Sequence, residues 1–229
     1  MKIGTKSLLF GCHQFLWHPL TVALAYRKLF RQWPDLVGWL CIVFHDVGYW
    51  GRGDIDGKEG KLHPLLGAQL VGKLVYWWSR LRGNKEFSSC LIGAEAAHRC
   101  IFHSGSLARD NGEAPSDICW ADKFSLFIEP EWFYLLRTRL SGEMLEFKHH
   151  AIDSGHVPAT ATDREWLHWF KGHLLTRPEI SNLLQDQSLV RNHYLLRHSP
   201  RVLKGWINQF EKTNRESSAR NNPARNRTS

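Results

Sequence analysis

The sequence predicts an all-α protein. Apolar residues recur at three- and four-residue spacing through most of the chain, alternating strand-like runs are almost absent, and prolines stand where the apolar segments open. Leu20, Ala23, Leu24, Arg27 and Phe30 follow Pro19 at helical spacing. They predict a first strong helix with His18 near its N-terminus and Pro19 at the first helical position, where the missing N–H is harmless. Pro34-Asp35 opens a second, the apolar run Leu36 to Phe44, which closes on His45-Asp46. Gly48, Gly51, Gly53, Gly57 and Gly60 then predict a loop, and Pro64 starts a helix running towards Arg82.

Ser88-Ser89 reads as the N-cap region of a helix through Leu91, Ile92, Ala94 and Ala97. Asp110 to Glu113 reads as loop, Pro115-Ser116 precedes a helix carrying Asp122, and Pro130 opens another that ends near Gly142. Amphipathic stretches around Arg164 to Leu174, Glu179 to Leu184 and Val202 to Phe210 complete the series. No Pro/Gly/Ser linker divides the 229 residues, a length that can bury one sizeable core. The expectation is a core over 1–150, a helical extension over 151–212 packed on it, and a disordered tail over 213–229.

Eleven Trp agree with a folded globule, and Trp77-Trp78, Trp166 and Trp169 read as core or helix-packing residues, with stacking on a base as the alternative for an aromatic near a cleft. Five Cys, an odd number without C-x-x-C spacing, suit buried free thiols rather than a disulfide frame or zinc ribbon. No apolar run reaches membrane-spanning length, and His13 and Gln14 interrupt the only signal-like N-terminal stretch. A cytoplasmic protein with no membrane partner is expected. Of the net charge of +8, half lies in the tail, where Lys212, Arg215, Arg220, Arg225 and Arg227 face only Glu216. That tail offers nonspecific attraction to nucleic acid or anionic lipid, but a solvated tail is the favoured reading.

His45-Asp46 is the most informative pair in the chain. Two metal-competent side chains at the end of a buried helix are costly unless something binds them, and a metal ion would do so. Helix geometry thins the other histidines. His13 and His18 are five residues apart, as are His98 and His103, and that separation rotates a side chain by about 140°. One member of each pair can face a given ion. His103, at a helix end before a Gly-containing turn, is favoured over His98 in its Ala-rich stretch.

The order His18, His45-Asp46, Asp122, with Val47-Gly48, Glu59 and His63-Pro64-x-x-Gly67-Ala68 between, resembles the HD superfamily of metal-dependent phosphohydrolases over about two thirds of the chain. It looks closest to the phosphodiesterase-like branches, whose second metal recruits further histidines. The resemblance implies an HD-like helical bundle and picks His18 over His13, because Val22-Ala23 follows it as in the first helix of that family. It also implies a first metal on His18, His45, Asp46 and Asp122, and a bridge through Asp46 to a second metal on His63 and His103. Imidazole and carboxylate donors suit Mn²⁺, Fe²⁺, Co²⁺, Ni²⁺ or Zn²⁺.

The implied reaction is hydrolysis of a phosphoester, of a nucleotide or related small molecule, by metal-bound hydroxide. Cyclic nucleotide or cyclic dinucleotide phosphodiesterase activity is the runner-up. Phe102-His103-Ser104-Gly105 departs from the His-His and Gly-Tyr-Pro features of the cyclic-dinucleotide relatives. Lys123, Lys58 and Arg52 are candidate phosphate-binding residues, and Glu59 a candidate outer partner or proton carrier. Asp54 and Asp56 read as loop acids, Glu129 as a ligand's partner or a structural acid, and His149-His150 and His156 as surface residues. From another class, a non-catalytic HD sensor or a nucleic-acid-binding protein using the tail is the alternative. Many HD relatives form homo-oligomers, but no interface is written in the sequence.

Overall fold

A computed structural model describes residues 1–184, eleven α-helices and two short 3-10 turns with no strand among the described residues. The helices are α1 (Ile3–Phe10), α2 (Trp17–Phe30), α3 (Leu36–Phe44), α4 (Pro64–Leu81), α5 (Glu86–Ile101), α6 (Gly105–Asp110), α7 (Asp117–Ser125), α8 (Glu131–Ser141), α9 (Glu143–Asp153), α10 (Asp163–Leu175) and α11 (Pro178–Leu184). The segment Val202 to Phe210 and the basic tail lie outside the described residues.

Side-chain caps fix the starts of three helices, α3, α6 and α10. Asp35 accepts the Gly38 amide at 2.6 Å and so fixes the start of α3. Thr162 and Glu165 form a reciprocal capping box at α10. Two starts differ from the sequence expectation. Helix α2 begins at Trp17, because the Gln14 side chain accepts the Leu16 and Trp17 amides at 3.1 and 2.6 Å. Pro19 is then the third helical residue, still within the turn whose amides have no helical partner. Helix α5 begins at Glu86, not after Ser88-Ser89; the Ser89 hydroxyl instead donates to Ser79 of α4 at 3.0 Å.

The bundle core joins α2, α3, α4, α5 and α7 through Val22, Ile42, Val71, Ala96, Ile118 and their neighbours. Helices α4 and α5 cross closely, since a side chain on Gly93 would meet the Gly72 carbonyl at 2.8 Å. Arg99 of α5 ties the starts of α3 and α7 to this core, donating to Asp35 at 2.7 Å and to both carboxylate oxygens of Asp117 at 2.9 and 2.6 Å.

Two glycines place the His-Asp pair. A Cβ on Gly67, in the first turn of α4, would stand 2.3 Å from the Phe44 carbonyl at the end of α3. A Cβ on Gly48 would stand 1.9 Å from the His63 carbonyl. The end of α3 and the start of α4 therefore touch backbone to backbone, which only glycine permits. That contact brings His45-Asp46 against His63.

Helices α8 to α11 pack on this bundle. Tyr134, Met144, Leu167 and Trp166 form a second apolar cluster, and Leu174, Ile180 and Leu184 pack with Ala25, Leu29 and Phe124 of α2 and α7. The expected boundary at residue 150 falls inside α9, whose first residue, Glu143, is tied to the N-terminal segment; Cys12 donates its amide to Glu143 at 2.8 Å. Cys12, Cys41, Cys100 and Cys119 are buried free thiols, whereas Cys90 is exposed. Trp166 is a core residue as expected, but Trp77 and Trp78 face outward at 62 and 50 % exposure.

Candidate metal centre

Asp46 lies just past α3, buried, with its two carboxylate oxygens facing two pairs of histidines. On one side Oδ2 is 3.2 Å from His18 Nε2 and 3.0 Å from His45 Nε2. On the other, Oδ1 is 3.5 Å from His63 Nε2 and 3.6 Å from His103 Nε2. Asp122, from α7, joins the first pair, its Oδ1 being 3.1 Å from His18 Nε2 and 3.8 Å from His45 Nε2. Five elements thus meet at one carboxylate: α2 supplies His18, the end of α3 His45 and Asp46, the start of α4 His63, the end of α5 His103, and α7 Asp122.

The ring nitrogens turned away from Asp46 fix the chemistry of those turned towards it. Nδ1 of His45 lies 2.9 Å from the Ile42 carbonyl, Nδ1 of His63 2.7 Å from that of Gly60, and Nδ1 of His103 2.7 Å from that of Cys100. A carbonyl only accepts, so each Nδ1 carries a proton and donates it. In the neutral imidazole Nε2 is then a bare lone pair. His63 Nε2 and His103 Nε2 nevertheless approach to 2.9 Å. Lone pairs aimed at one another are repulsive unless a cation or a proton stands between them.

The Asp46 Oδ2 atom adds a second sign of the same demand, since it is buried and near two ring nitrogens yet not aligned for a hydrogen bond. Burial opposes the positive charge of His45, but Asp46 and Asp122 outweigh it and raise its pKa well above that of an ordinary histidine. Despite burial, which acts against ionisation, the surrounding histidines hold Asp46 and Asp122 well below the usual carboxylate range. Burial, reinforced by His103, pushes His63 well down, and burial also lowers His103. The carboxylates are therefore ionised and the second histidine pair neutral, the state in which these groups bind metal. His18, His45 and Asp122, and likewise His45, Asp46 and His103, are groups that can hold a metal ion.

His18, Asp46, His63, His103 and Asp122 face a cleft of about 870 Å³. Lys123 lines it and donates to Cys119 Sγ at 3.2 Å. Burial works against its charge, yet Cys119 and Asp122 hold its pKa above the usual lysine value, so it remains an ammonium. His103, not His98, reaches the centre; His98 is exposed and lies 3.8 Å from Glu113. His13 is a neighbour of the centre, its ring 5.6 Å from that of His18 and 4.5 Å from that of Tyr49.

Three expected site residues are not in the cleft wall. Glu59 accepts the Gly53 amide at 2.9 Å, and Arg52 Nε donates to the Gly48 carbonyl at 3.2 Å, so both are committed to the glycine-rich loop. Lys58 projects from that loop into solvent. Asp54 is a loop acid as expected, accepting the Gly60 amide at 2.6 Å, whereas Asp56 lines the cleft. Glu129 lines the cleft and pairs with Arg137.

Several further residues line the cleft. Lys61, Arg109 and Arg177 bring positive charge to the wall, and His150 and His156, expected at the surface, stand there exposed. Trp120, Trp169 and Phe170 supply flat apolar surface. No protein-family model, curated protein or solved structure matches the chain.

Proposed function

We propose that this protein is an HD-type metal-dependent phosphohydrolase acting on a phosphoester of a nucleotide or related small molecule. The observation that carries this reading is the single buried carboxylate of Asp46 flanked by two pairs of histidine Nε2 atoms, with Asp122 completing the first pair. His18, His45, Asp46 and Asp122 would hold one divalent ion, and Asp46, His63 and His103 a second. Ions of the Mn²⁺, Fe²⁺, Co²⁺, Ni²⁺ and Zn²⁺ series suit these donors and, when bound, supply an ionised water at neutral pH and screen phosphate charge.

The chain's own residues do the rest. The carbonyls of Ile42, Gly60 and Cys100 keep the donor nitrogens aimed inward. Lys123, which lines the cleft beside Asp122, would take a phosphate oxygen, with Lys61, Arg109 and Arg177 as further cations lining the cleft. Trp120 and Trp169 offer faces on which a base can stack. The second histidine pair favours including phosphodiesters, cyclic nucleotides among them, with monoesters as candidate substrates.

The test is release of phosphate or nucleoside from a panel of nucleoside mono- and triphosphates and cyclic nucleotides with Mn²⁺, beside EDTA and Asp46→Asn controls. Turnover on a nucleotide, abolished by both controls, is the expected result. No turnover on any compound by protein shown to be loaded with metal would overturn the hydrolase reading.

A further inference from the structure

Helix α4 buries Gly67, Ala68, Val71, Val75 and Ser79 against the core, yet its opposite face is not polar. Leu66, Leu70, Leu74, Trp77 and Leu81 recur there every three or four residues, a stripe down one side of the helix. Leu70 is half-buried between Leu66 and Leu74, at 42 and 45 % exposure, and exposure then reaches 62 % at Trp77 and 82 % at Leu81. Beyond the turn at Gly83, whose φ is +84°, Phe87 of α5 is 75 % exposed. The α4–α5 turn therefore carries aromatic and aliphatic side chains of the kind that monomeric proteins rarely leave in water as a group.

Charge identifies what covers this face. Helix α4 contains no acidic residue, and Lys73, Arg80, Arg82 and Lys85 are exposed on it or just past it. The Arg82 guanidinium lies 5.7 Å over the Trp78 ring, and Arg80 donates to the Asn84 carbonyl at 2.9 Å, so the cations stand beside the apolar stripe. Helix α3, which packs on α4, also lacks charged residues and exposes Leu36, Trp39 and Val43. A second copy docked through the same face would set these cations against their own equivalents, with Glu86 the one acid at the turn. An anionic surface answers both the charge and the apolar area.

We propose that the α4–α5 turn and the outer face of α4 dock on an anionic phospholipid bilayer, with Trp77, Trp78, Leu81 and Phe87 in the headgroup and acyl boundary and Arg80, Arg82 and Lys85 against lipid phosphates. Tryptophan with one polar edge suits that boundary, and a helix with apolar residues on one face and basic residues beside them lies in the plane of the membrane. This is surface attachment, not a crossing: no helix among the described residues is long and apolar enough to span a bilayer. It replaces the expectation that no membrane is involved and stands apart from the hydrolase reading.

Sedimentation of the full chain with sucrose-loaded vesicles tests it, comparing phosphatidylcholine alone with phosphatidylcholine containing phosphatidylserine. The protein is expected to sediment with the anionic vesicles and to be released by salt. An Arg80→Ala, Arg82→Ala, Lys85→Ala variant should lose about a hundredfold in partitioning, at roughly fivefold per basic residue. A Trp77→Ser, Trp78→Ser, Leu81→Ser variant, altered only at exposed positions, should lose at least about tenfold while keeping the helical circular dichroism of the parent. Failure of the parent chain to bind anionic vesicles would overturn the proposal. So would variants that bind as well as the parent, which would assign the attraction elsewhere, as to the basic residues between 212 and 227. A parent that ignores vesicles and is a dimer in light scattering, turned monomeric by the Trp77/Trp78/Leu81 changes, would give the face to a second copy instead.

Discussion

Asp46 carries more of the site than any other residue because its two oxygens serve different histidine pairs. Removing one member of the second pair should therefore be a separable lesion. His63→Ala is expected to weaken the ion shared by His63 and His103 by at least about tenfold and leave the ion on His18, His45 and Asp122 in place, read by calorimetric titration with Mn²⁺. Loss of both binding events would contradict the division of labour. Next to the centre, Glu143 accepts from Ser7, Ser141, the Cys12 amide and the Cys12 thiol, and its carboxylate lies 3.2 Å from His13 Nδ1. Burial favours its neutral form, but His13 and these donors prevail and bring its pKa from 4.5 down to about 2. The sign follows: the ionised form stabilises the fold fully above the unfolded pKa, and that contribution is lost as pH falls from about 4.5 through about 2. Its size is of the order of 3 kcal/mol. Urea unfolding of the parent chain should weaken between pH 5 and pH 2.5 by more than that of Glu143→Gln, and equal pH dependence would contradict this account.

At the scale of elements, the site depends on the contact between the end of α3 and the start of α4. Gly67→Ala sets a methyl group 2.3 Å from the Phe44 carbonyl, a backbone atom that cannot swing aside. It should cost about 3 kcal/mol, the upper part of the range for overpacking, and lower metal affinity by separating His63 from Asp46. Unfolding and Mn²⁺ titration of the same variant read both effects. Much of this arrangement was legible in the sequence, because a proline, an N-cap acid or a terminal glycine marks the ends of α3, α4, α7 and α8, and His18, His45, Asp46, His63, His103 and Asp122 all converge. Helices α1, α6 and α9 were not legible. Helix α6 is short and capped by Ser104, and α9 follows α8 across Gly142 alone, whose φ of +90° reverses the chain without a loop. Glu59, Arg52 and Lys58 were misplaced for a different reason. Proximity to the His-Asp pair in sequence put them near the centre, while the turns of the glycine-rich loop spend the first two on backbone groups and leave Lys58 in solvent.

For the whole molecule, a bound metal would be linked to stability. The candidate ligands come from α2, α3, α4, α5 and α7, so an ion held there would bind the folded chain and not the unfolded one. Mn²⁺ at about a hundred times its Kd should add about 2.7 kcal/mol and raise the melting temperature by about 5 to 10 °C, reversed by EDTA and absent in Asp46→Asn. An unchanged melting temperature in the parent chain would speak against a folded-state ion. The helical class was legible at this scale because apolar spacing reports it directly. The outward-facing Trp77 and Trp78 were not, since periodicity shows that α4 is apolar on two sides but not which side meets the core.

The most direct measurement of the central claim is anomalous diffraction from crystals of the full chain grown with Mn²⁺, collected to locate the ion. The account predicts a peak among His18, His45, Asp46 and Asp122 and another among Asp46, His63 and His103. Density empty of anomalous signal at Asp46, or signal confined to Cys12, His13 and Glu143, would contradict it.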